Sequence, residues 1–558
     1  MTDFFRGHKT FFLNVGLCAV ILLALYPLLN AGFVGWDESD YIVNNPLIKK
    51  LSWSNFAEIF LRSDLKLYTP LTTFSFALDH FAGGDNPAVY HAVNLLLHMA
   101  NSVLVFFIIR ALGLGPAGAW LGAALFGVHP AHVESVAWVA ERKDVLCAFF
   151  FFSSLLLYLK SAENGKKRFY CASVFCFVLA VLAKPMAVTL PVILILCDWF
   201  KGRAAGGLKN KIPYFIVSAI SVCITMLPRF LYGGDVPPEA AFGAGVRVLS
   251  PMYAWVFYVF KMFWPVNLSG MYELSGGLRG IGAYAALFLA IWTLILVTLR
   301  RSRTLMFGII FFTVALLPVI QLVPFGPVLT ADRYTYIPYF GLFFAVAAVV
   351  ERWLDKTAVK ALVLAVLALF VFASNVRCRV WMNPLVFWQD VASKNAKNPS
   401  VYINLSNAHL SVGQYAQAEA VARRAIAIDP ARPNAHINLS ICRMYARDTD
   451  GALAALENAR VLRPDSAFVY ANMAVLYFQK RDRGTAFSYL EKAVSLEPKN
   501  TDFLKYLAAE RLKDCASDEC RSSAAAGLIR VLEINPSDSS ARNMLCGPMK
   551  ISAFCGKQ

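Results

Sequence analysis

Long apolar runs occupy the first two thirds of the chain and predict membrane-spanning helices. The first run covers residues 11–33. The others lie at 91–109, 117–128, 145–159, 169–183, 186–200, 212–228, 281–299, 304–323, 337–350 and 359–376. A helix needs roughly 20 apolar residues to cross the hydrocarbon layer, so the shorter runs must extend into their flanking aromatic residues. The pattern predicts about 11 spans, the first of them uncleaved because it is too long for a signal peptide.

Basic residues between the runs predict how the helices are oriented. Loops rich in Lys and Arg stay in the cytoplasm. The basic positions are Arg110, 166–168, 201–211, 300–303 and 352–360. All of them fall on the cytoplasmic side if the N-terminus is cytoplasmic and the apolar segment 252–266 is re-entrant or interfacial. Alternation then places the C-terminal part on the outer side, together with four loop segments, which are 34–90, 129–144, 229–280 and 324–338.

The last part of the chain carries an internal repeat. Pro430, Pro464 and Pro498 are spaced 34 residues apart, which is the period of the tetratricopeptide helix-turn-helix repeat. Small residues keep the same register, at Ala418, Ala452 and Ala486 and at Ala425, Ala459 and Ala493. We predict repeats at 399–432, 433–466 and 467–500, and a fourth at 501–538 that is interrupted by four extra residues and ends at Pro536.

Three asparagines follow the repeat period. Asn404, Asn438 and Asn472 fall on the first helix of each repeat, at a position that lines the concave groove in this repeat class. An amide is both donor and acceptor, so a ladder of amides suits the backbone of an extended polypeptide. The alternative is that asparagine is simply common at this position without a bound peptide. Peptide binding by these three residues is therefore a hypothesis.

Composition and charge agree with this division of the chain. Of the 558 residues, 58% are hydrophobic and 16% are charged, which excludes a soluble or disordered chain. The formal net charge of +17 is a membrane-topology signal and does not predict nucleic-acid binding. We expect an all-α protein, a polytopic membrane helix bundle followed by a soluble α-solenoid. The predicted parts are the membrane domain 1–376, a connector 377–398, the repeat domain 399–540 and a tail 541–558.

The first outer loop begins with adjacent carboxylates, Asp37 and Glu38. Acidic side chains at a membrane surface are costly to desolvate, so their clustering indicates a function. A general base that deprotonates an acceptor hydroxyl, with a neighbour that holds substrate or a metal ion, fits this position. The alternative is a helix N-cap formed by Asp37 or Ser39.

Two further outer segments carry candidate chemistry. In 129–144, the side chains of His129, His132 and Glu134 are predicted to line a cavity; they lack the spacing of a zinc motif. Basic residues suit phosphate binding because their N–H groups donate to phosphate oxygens. They are Arg142 and Lys143, Lys184 at another outer span end, and Arg333. The neighbours of Arg333, Asp332 and Tyr334, are predicted to line the same cavity as His129, His132 and Glu134. The alternative for Arg333 is an anchor in an aromatic belt.

The cysteines divide into two groups. Six lie in or beside predicted spans and are interpreted as small apolar fillers, namely Cys18, Cys147, Cys171, Cys176, Cys197 and Cys223. Cys515 and Cys520 flank the insertion in the fourth repeat, and Cys546 and Cys555 lie in the tail. Such close pairs in an outward-facing domain suit disulfides, whose connectivity the sequence leaves open.

These features together resemble one family. The acidic first outer loop, the stretch His-Pro-x-His-x-Glu at 129–134, the loop Asp-Arg-Tyr-x-Tyr-x-Pro at 332–338 and the outward-facing repeats occur in an order typical of the transmembrane and tetratricopeptide-repeat O-mannosyltransferases. That family belongs to the GT-C class, whose members use polyprenyl-phosphate sugars. The chain resembles a bacterial member, and the resemblance covers nearly its whole length.

The resemblance implies an inverting transfer of a sugar from a polyprenyl phosphate to a hydroxyl, with protein Ser or Thr as acceptor. Asp37 would correspond to the catalytic acidic residue of the family's first loop, which acts as the base, and Glu38 to a helper or alternative base. This chain has Asp-Glu where many members have Asp-Asp. Arg333 would contact the leaving phosphate, with Arg142 as second candidate. A divalent cation, Mg or Mn, stays open because GT-C enzymes differ in their need for metal.

Two alternatives stand beside this reading. One is the same chemistry on a glycan or lipid acceptor, and the other is a non-enzymatic membrane scaffold or transporter with a partner-binding repeat domain. Few charges lie in mid-span, which disfavours a transport path. The expected partners are a polyprenyl-phosphate sugar, a protein or peptide in the repeat groove and membrane lipid. We expect a multi-pass protein of the inner membrane with a cytoplasmic N-terminus and a periplasmic repeat domain.

Overall fold

Most of the described residues of this chain are helical. The computed structural model describes residues 2–61, 68–203, 205–232, 244–273, 277–320, 328–513, 515, 517–535 and 538–547. No strand occurs among them, so the predicted all-α class is confirmed. The chain divides into two compact units, which we call the membrane unit, Met1–Asn395, and the repeat unit, Ala396–Gln558.

The membrane unit is built from apolar helices. Its α-helices are α1 (Thr2–Leu25), α2 (Trp53–Leu61), α3 (Pro70–Gly83), α4 (Pro87–Leu112), α5 (Pro116–Val128), α6 (Val133–Ala137), α7 (Arg142–Asn164), α8 (Lys167–Ala183), α9 (Leu190–Phe200), α10 (Ile212–Tyr232), α11 (Ala244–Phe263), α12 (Gly277–Leu294), α13 (Arg303–Leu316), α14 (Tyr339–Glu351), α15 (Thr357–Val380) and α16 (Pro384–Lys394). Short 3₁₀ and π-helical turns connect several of them.

Five stretches among the described residues are long and apolar enough to cross a membrane. They are Lys9–Asn30, Pro87–Leu112, Val139–Asn164, Gly280–Leu299 and Thr357–Val380. Shorter apolar helices lie at Pro116–Val128, Pro185–Phe200, Val248–Phe263, Arg303–Leu316 and Tyr339–Glu351. These helices agree with the predicted membrane bundle, and the total of 11 spans stays a prediction. The segment predicted as re-entrant or interfacial coincides with the end of α11, which stops before Pro265.

Glycine allows the closest helix contact in the membrane unit. Gly308 of α13 faces Gly341 of α14, and a Cβ atom on either residue would collide with the backbone of the other. A second local device is the start of α5, where the carboxylate of Glu351 accepts the backbone N–H groups of Gly115 at 3.2 Å and Gly118 at 3.0 Å. This side chain satisfies donors that a helix start leaves without partners.

Three polar side chains, His91, Asn94 and His98, form a stripe along α4 and are buried inside the bundle. His98 contacts the Tyr336 hydroxyl at 2.6 Å and the Gly127 carbonyl at 2.9 Å. One turn earlier, Asn94 donates to the Val136 carbonyl at 3.1 Å. Buried polar side chains need such partners because they have lost those of water. Asn94 and His98 therefore link α4 to the segments that contain Val136 and Tyr336.

The repeat unit consists of successive helix pairs. They are α17 (Pro399–Ser411) with α18 (Tyr415–Ile428), α19 (Pro433–Tyr445) with α20 (Thr449–Leu462), α21 (Ala467–Gln479) with α22 (Arg483–Leu496), and α23 (Thr501–Lys513) with α24 (Asp518–Ile534), followed by α25 (Ser539–Cys546). The six periodic alanines have no exposed surface, since they lie where paired helices pack. Cys515 forms a disulfide with Cys520, and Cys546 is disulfide-bonded. Pro536 and Cys555 lie outside the described residues.

Candidate active site

The acidic loop follows the first apolar helix. Gly35 has a φ of 67°, a left-handed conformation that favours glycine, and the chain changes direction there before Trp36. Asp37 is half-buried and Glu38 is buried, with its Oε2 accepting the backbone N–H of Trp36 at 3.0 Å. The π-helical turn Ser39–Val43 begins without a capping hydrogen bond from the Glu38 side chain.

The Glu38 carboxyl group has a pKa near neutral pH. Burial raises the pKa of Glu38 to about 7, and the backbone N–H groups that donate to its carboxylate oppose this rise only in part. The negative charge of Asp37 raises the pKa further. A carboxyl group in this state can exchange a proton near neutral pH, which is the property of a general base.

An indole layer joins the acidic loop to a buried cation. The ring of Trp36 stacks on that of Trp138, with ring centroids 4.3 Å apart and an interplanar angle of 13°. The guanidinium of Arg333 lies 5.2 Å from the centroid of Trp138. Trp36 also contacts Trp388 of α16, with centroids 5.3 Å apart. The acidic loop and Arg333 are therefore positioned by one shared aromatic side chain.

Arg333 is held by carboxylates from the segment 129–144. Its Nη1 lies 2.5 Å from Glu134 Oε1, and its Nε lies 3.3 Å from Glu141 Oε1. Its backbone N–H also donates to Glu134 at 3.3 Å. These bonds fix the plane of the guanidinium and leave its Nη2 without a hydrogen-bond partner among the described residues. An oxyanion can be bound by this remaining edge.

Two lysines extend the cluster. Lys143 lies 3.1 Å from Glu141, and its charge is close enough to interact with that of Asp37. Lys184 lies 3.3 Å from Glu141 and 2.5 Å from Asp144. The structure therefore brings Arg333, Lys143 and Lys184 into one network around Glu141.

Arg142 has a different surrounding. It has no exposed surface and pairs with Asp79 at 2.5 Å. Its Nε donates to Asn94 at 2.6 Å, and its Nη2 donates to the Tyr90 carbonyl at 2.7 Å. A guanidinium with these partners ties α3, α4 and α7 together. Its predicted contact with phosphate stays a prediction that this geometry does not favour.

The two histidines contact backbone carbonyls. His129 bonds to the Met262 carbonyl at 3.0 Å, and its Nδ1 accepts the N–H of Ala131 at 3.2 Å. His132 bonds to the Phe126 carbonyl at 2.8 Å, while its Nε2 is buried without a hydrogen-bond partner in the described structure. Within the described ranges, no three His, Cys, Asp or Glu side chains are grouped as metal ligands. Both histidines pack among aromatic rings rather than beside the Asp37 loop.

Asp332 and Tyr334 flank Arg333. Asp332 is buried and accepts a hydrogen bond from the Tyr272 hydroxyl at 2.6 Å. Tyr334 is half-buried, with its ring 5.1 Å from the Arg333 guanidinium. Among the predicted site residues, Asp37, Glu38, Glu134, Lys184, Arg333 and Tyr334 belong to the neighbourhood of Trp138 or of the network beside it.

Several residues of this neighbourhood escaped sequence analysis. Trp138 joins the acidic loop to Arg333, and Asp79 neutralises Arg142. An aromatic residue near the end of an apolar run is indistinguishable from an interfacial anchor. A single carboxylate in a long loop likewise carries no sign of its partner. Only the three-dimensional contacts assign the roles of Trp138 and Asp79.

The asparagines of the repeats have unequal partners. Asn438 is buried and donates to the Ile403 carbonyl of the preceding repeat at 3.1 Å. Asn472 donates to Phe468 on its own helix at 2.9 Å. Asn404 is half-buried. Asn438 therefore joins neighbouring repeats, and the role of the three in peptide binding stays a prediction.

Comparisons with known proteins agree with both parts of the chain. The family model described as "Tetratricopeptide repeat" matches residues 399–432 and 469–500. Protein O-mannosyl-transferase TMTC4 of Mus musculus is 26% identical over 66% of this chain and 60% of its own length. Protein O-mannosyl-transferase TMTC1 of Homo sapiens is 24% identical over 71% of this chain and 52% of its own length. Protein O-mannosyl-transferase F38B6.6 of Caenorhabditis elegans is 25% identical over 74% of this chain and 63% of its own length.

The extent of these matches defines what they support. The chain spans about half to two thirds of the length of these curated relatives. The aligned part covers most of the present chain. The predicted resemblance to the transmembrane and tetratricopeptide-repeat O-mannosyltransferases is confirmed.

Proposed function

We propose that this chain, which is similar to proteins named protein O-mannosyl-transferases, is an integral-membrane glycosyltransferase. It moves a sugar from a polyprenyl phosphate to a hydroxyl acceptor, a protein Ser or Thr, on the outer face of the membrane. The observation that carries this proposal is that the acidic loop and Arg333 both pack on Trp138. Such a site supplies a base and a phosphate-binding cation within one neighbourhood.

The acidic loop provides the base. Asp37 is half-buried, so an acceptor hydroxyl can approach it, whereas Glu38 lies beneath with its raised pKa. In this proposal Asp37 removes the hydroxyl proton, and Glu38 orients the loop or takes the proton in its place. The hydroxyl oxygen forms its bond to the anomeric carbon as the carbon–phosphate oxygen bond breaks. The configuration at that carbon is inverted.

Cations stabilise the leaving phosphate. Arg333 has an edge available beside the carboxylates that hold it, while Lys143 and Lys184 add positive charge from the same network. Donors fixed before the reaction lower its barrier because they need not reorganise as charge develops. Arg142 then acts as a positioning residue through its pair with Asp79.

The repeat unit provides acceptor binding in this proposal. Its matched repeats and periodic asparagines support an extended polypeptide as the bound species. We further infer that the repeats and the acidic loop share the outer, periplasmic side. The positions of the basic loops support this orientation.

Donor turnover by the purified full-length protein tests the reaction. A labelled polyprenyl-phosphate sugar is supplied, and sugar release is measured for wild type, Asp37→Asn and Arg333→Met. We expect Asp37→Asn to lower the rate by about 100-fold or more, as removal of a general base does. Arg333→Met is expected to lower it by about 100-fold, as loss of an oxyanion donor does. An arm with a chelator reports whether a divalent cation is required.

The matched control for the base is Asp40→Asn, which changes an exposed carboxylate of the same loop. It should keep its rate within about threefold of wild type, as surface substitutions away from a site do. Equal rates in Asp37→Asn and Asp40→Asn would reject the assignment of the base. Absence of turnover in the wild type with every polyprenyl-phosphate sugar supplied would reject the proposed reaction.

The acceptor is tested separately from the donor. Replacement of Asn404 and Asn472 by Ala should lower sugar transfer to a Ser/Thr peptide and leave donor hydrolysis unchanged. Asn438 is kept because it joins two repeats. Unchanged peptide modification in the double variant would exclude the asparagines from acceptor binding, and transfer to a glycan or lipid alone would identify the alternative acceptor.

A further inference from the structure

Three cations from different helices surround the buried carboxyl group of Asp332. They are Lys261 near the end of α11, Arg377 in the last turn of α15 and Lys394 at the end of α16. The charge of each acts on Asp332. We call these three cations, together with Asp332 and Asp390, the Asp332 cluster. Its members are distinct from the Arg333 network, although Asp332 and Arg333 are adjacent in the chain.

The pairing within the cluster is incomplete. Asp390 pairs with Arg377 at 2.9 Å and with Lys394 at 2.5 Å. Lys261 instead donates to the Val266 carbonyl at 2.5 Å, and no carboxylate among the described residues lies within 4.0 Å of it. Asp332 accepts the Tyr272 hydroxyl and forms no ion pair with the cations within the described part of the chain.

One donor of the cluster has no hydrogen-bond partner in the described part of the chain. Nη2 of Arg377 is buried without a hydrogen bond among the residues that the structure describes. The Arg377 side chain is only 7% exposed, whereas those of Asp390 and Lys394 are 19% and 27% exposed. The cluster is therefore buried at Arg377 and reaches the surface at Lys394. A buried N–H group without a partner indicates a ligand or water in its place.

The charges point to the sign of that ligand. Three cations, Lys261, Arg377 and Lys394, face two carboxylates, those of Asp332 and Asp390, so the cluster holds one excess positive charge. Excess positive charge in a buried site is unfavourable until an anion compensates it. A phosphate group offers several oxygens to a guanidinium fork and to ammonium groups at once.

We propose that the Asp332 cluster is a phosphate-binding site in which Arg377 and Lys261 contact the phosphate oxygens. Lys394 lies where the site opens to the surface. The phosphate is carried by a prenyl lipid or is free in solution. The site itself does not depend on the proposed glycosyl transfer. Only its assignment to a prenyl lipid rests on that function.

Phosphate binding by the full-length protein in neutral detergent tests this site. Thermal unfolding is followed while sodium phosphate replaces sodium chloride at constant ionic strength, and a dissociation constant is obtained from the saturable rise in Tm. We expect Lys261→Met and Arg377→Met each to weaken phosphate binding by at least about tenfold, as loss of one charge-assisted contact does. Lys261→Met is the safer variant because it leaves no carboxylate unpaired.

The matched control is Arg379→Met, an exposed arginine on the same helix turn as Arg377. It should bind phosphate as wild type does. Equal dissociation constants for all four proteins, or no stabilisation by phosphate beyond that by chloride, would overturn the proposal. Phosphate binding that persists in Asp37→Asn separates this site from the fate of the proposed reaction.

A second arm identifies the carrier of the phosphate. Geranyl phosphate competes with inorganic phosphate, and geraniol, which lacks the phosphate, serves as its control. Tighter binding of geranyl phosphate that is lost in Lys261→Met assigns the site to a prenyl lipid. Equal affinity for both phosphates assigns it to free phosphate. Either result supports the anion site, and competition by geraniol alone contradicts it.

Discussion

At the scale of single residues, the Glu38 carboxyl group offers the sharpest prediction. Its pKa of about 7 results from burial, so the group loses its proton as the pH rises through neutrality. If the charged form supports the reaction, donor turnover should rise with pH over the same range. In Glu38→Gln this rise of turnover near neutral pH should disappear. The measurement is the pH profile of donor turnover in both proteins.

The control for this profile is Glu38→Asp, which keeps a carboxyl group and should keep a limb near neutral pH. A limb that is identical in wild type and Glu38→Gln would assign the titration to another group. This outcome would leave Asp37 as the base and give Glu38 a purely structural role.

The pair of Arg142 and Asp79 decides between a structural role and a phosphate-binding role. Asp79→Ala leaves a buried guanidinium without its counter-charge, so it should destabilise the protein by about 3 to 5 kcal/mol. The double variant Asp79→Leu with Arg142→Met should regain most of this stability because no buried charge is left unpaired. Thermal unfolding of the two variants in detergent provides the comparison.

Donor binding by the same double variant completes the test. If Arg142 has only a structural role, the folded double variant should bind the polyprenyl-phosphate donor with a dissociation constant within about threefold of that of wild type, because substitutions at distant sites act independently. A stable double variant that has lost donor binding would return Arg142 to the list of phosphate contacts.

At the scale of helices, the contact between α13 and α14 depends on two glycines. Gly308→Ala places a methyl group against the backbone of Gly341, which cannot move aside as a side chain can. We expect a loss of about 1 to 3 kcal/mol, as overpacking causes. Gly282→Ala on α12 is the matched control, because its added Cβ meets nothing within 4 Å. It should be neutral or stabilising by up to about 1 kcal/mol, since alanine favours helix over glycine. Equal effects of both variants on thermal unfolding would contradict the close contact.

Sequence patterns predict the helices of this chain but not the contacts between their side chains. The 34-residue register predicts the repeat helices because each repeat must bury the same small side chains, such as Ala418 and Ala452, against its neighbour. The apolar runs predict helices because a chain in lipid must satisfy its own backbone. Ion pairs such as Arg333 with Glu134 follow from neither rule, since they join residues almost 200 positions apart. Candidate residues were therefore predictable, whereas their partners were not.

At the scale of the whole molecule, the predicted connector contributes contacts to the acidic loop. Residues 377–395 belong to the membrane unit, where Trp388 and Phe387 pack on Trp36. The backbone N–H of Gly32 also donates to the Met382 carbonyl at 2.8 Å. The acidic loop is thus supported by a segment that follows the last long apolar helix, and sequence composition alone gave this segment no role.

Two truncations test this support directly. A chain ending at 395 lacks the repeats but keeps α16, whereas a chain ending at 376 also loses Trp381, Phe387 and Trp388. If α16 positions the acidic loop, the longer chain should retain donor hydrolysis within about tenfold of the full chain, while the shorter one should fall by about 100-fold or more, as displacement of a catalytic group by about 1 Å can cause. Trp388→Ala in the full chain provides a milder form of the same change. Folding is compared by thermal unfolding in detergent, so that loss of activity in a folded Trp388→Ala variant is attributed to the loop. Equal hydrolysis by the two truncated chains would contradict the role of α16 and would restrict the positioning of Asp37 to contacts within 1–376.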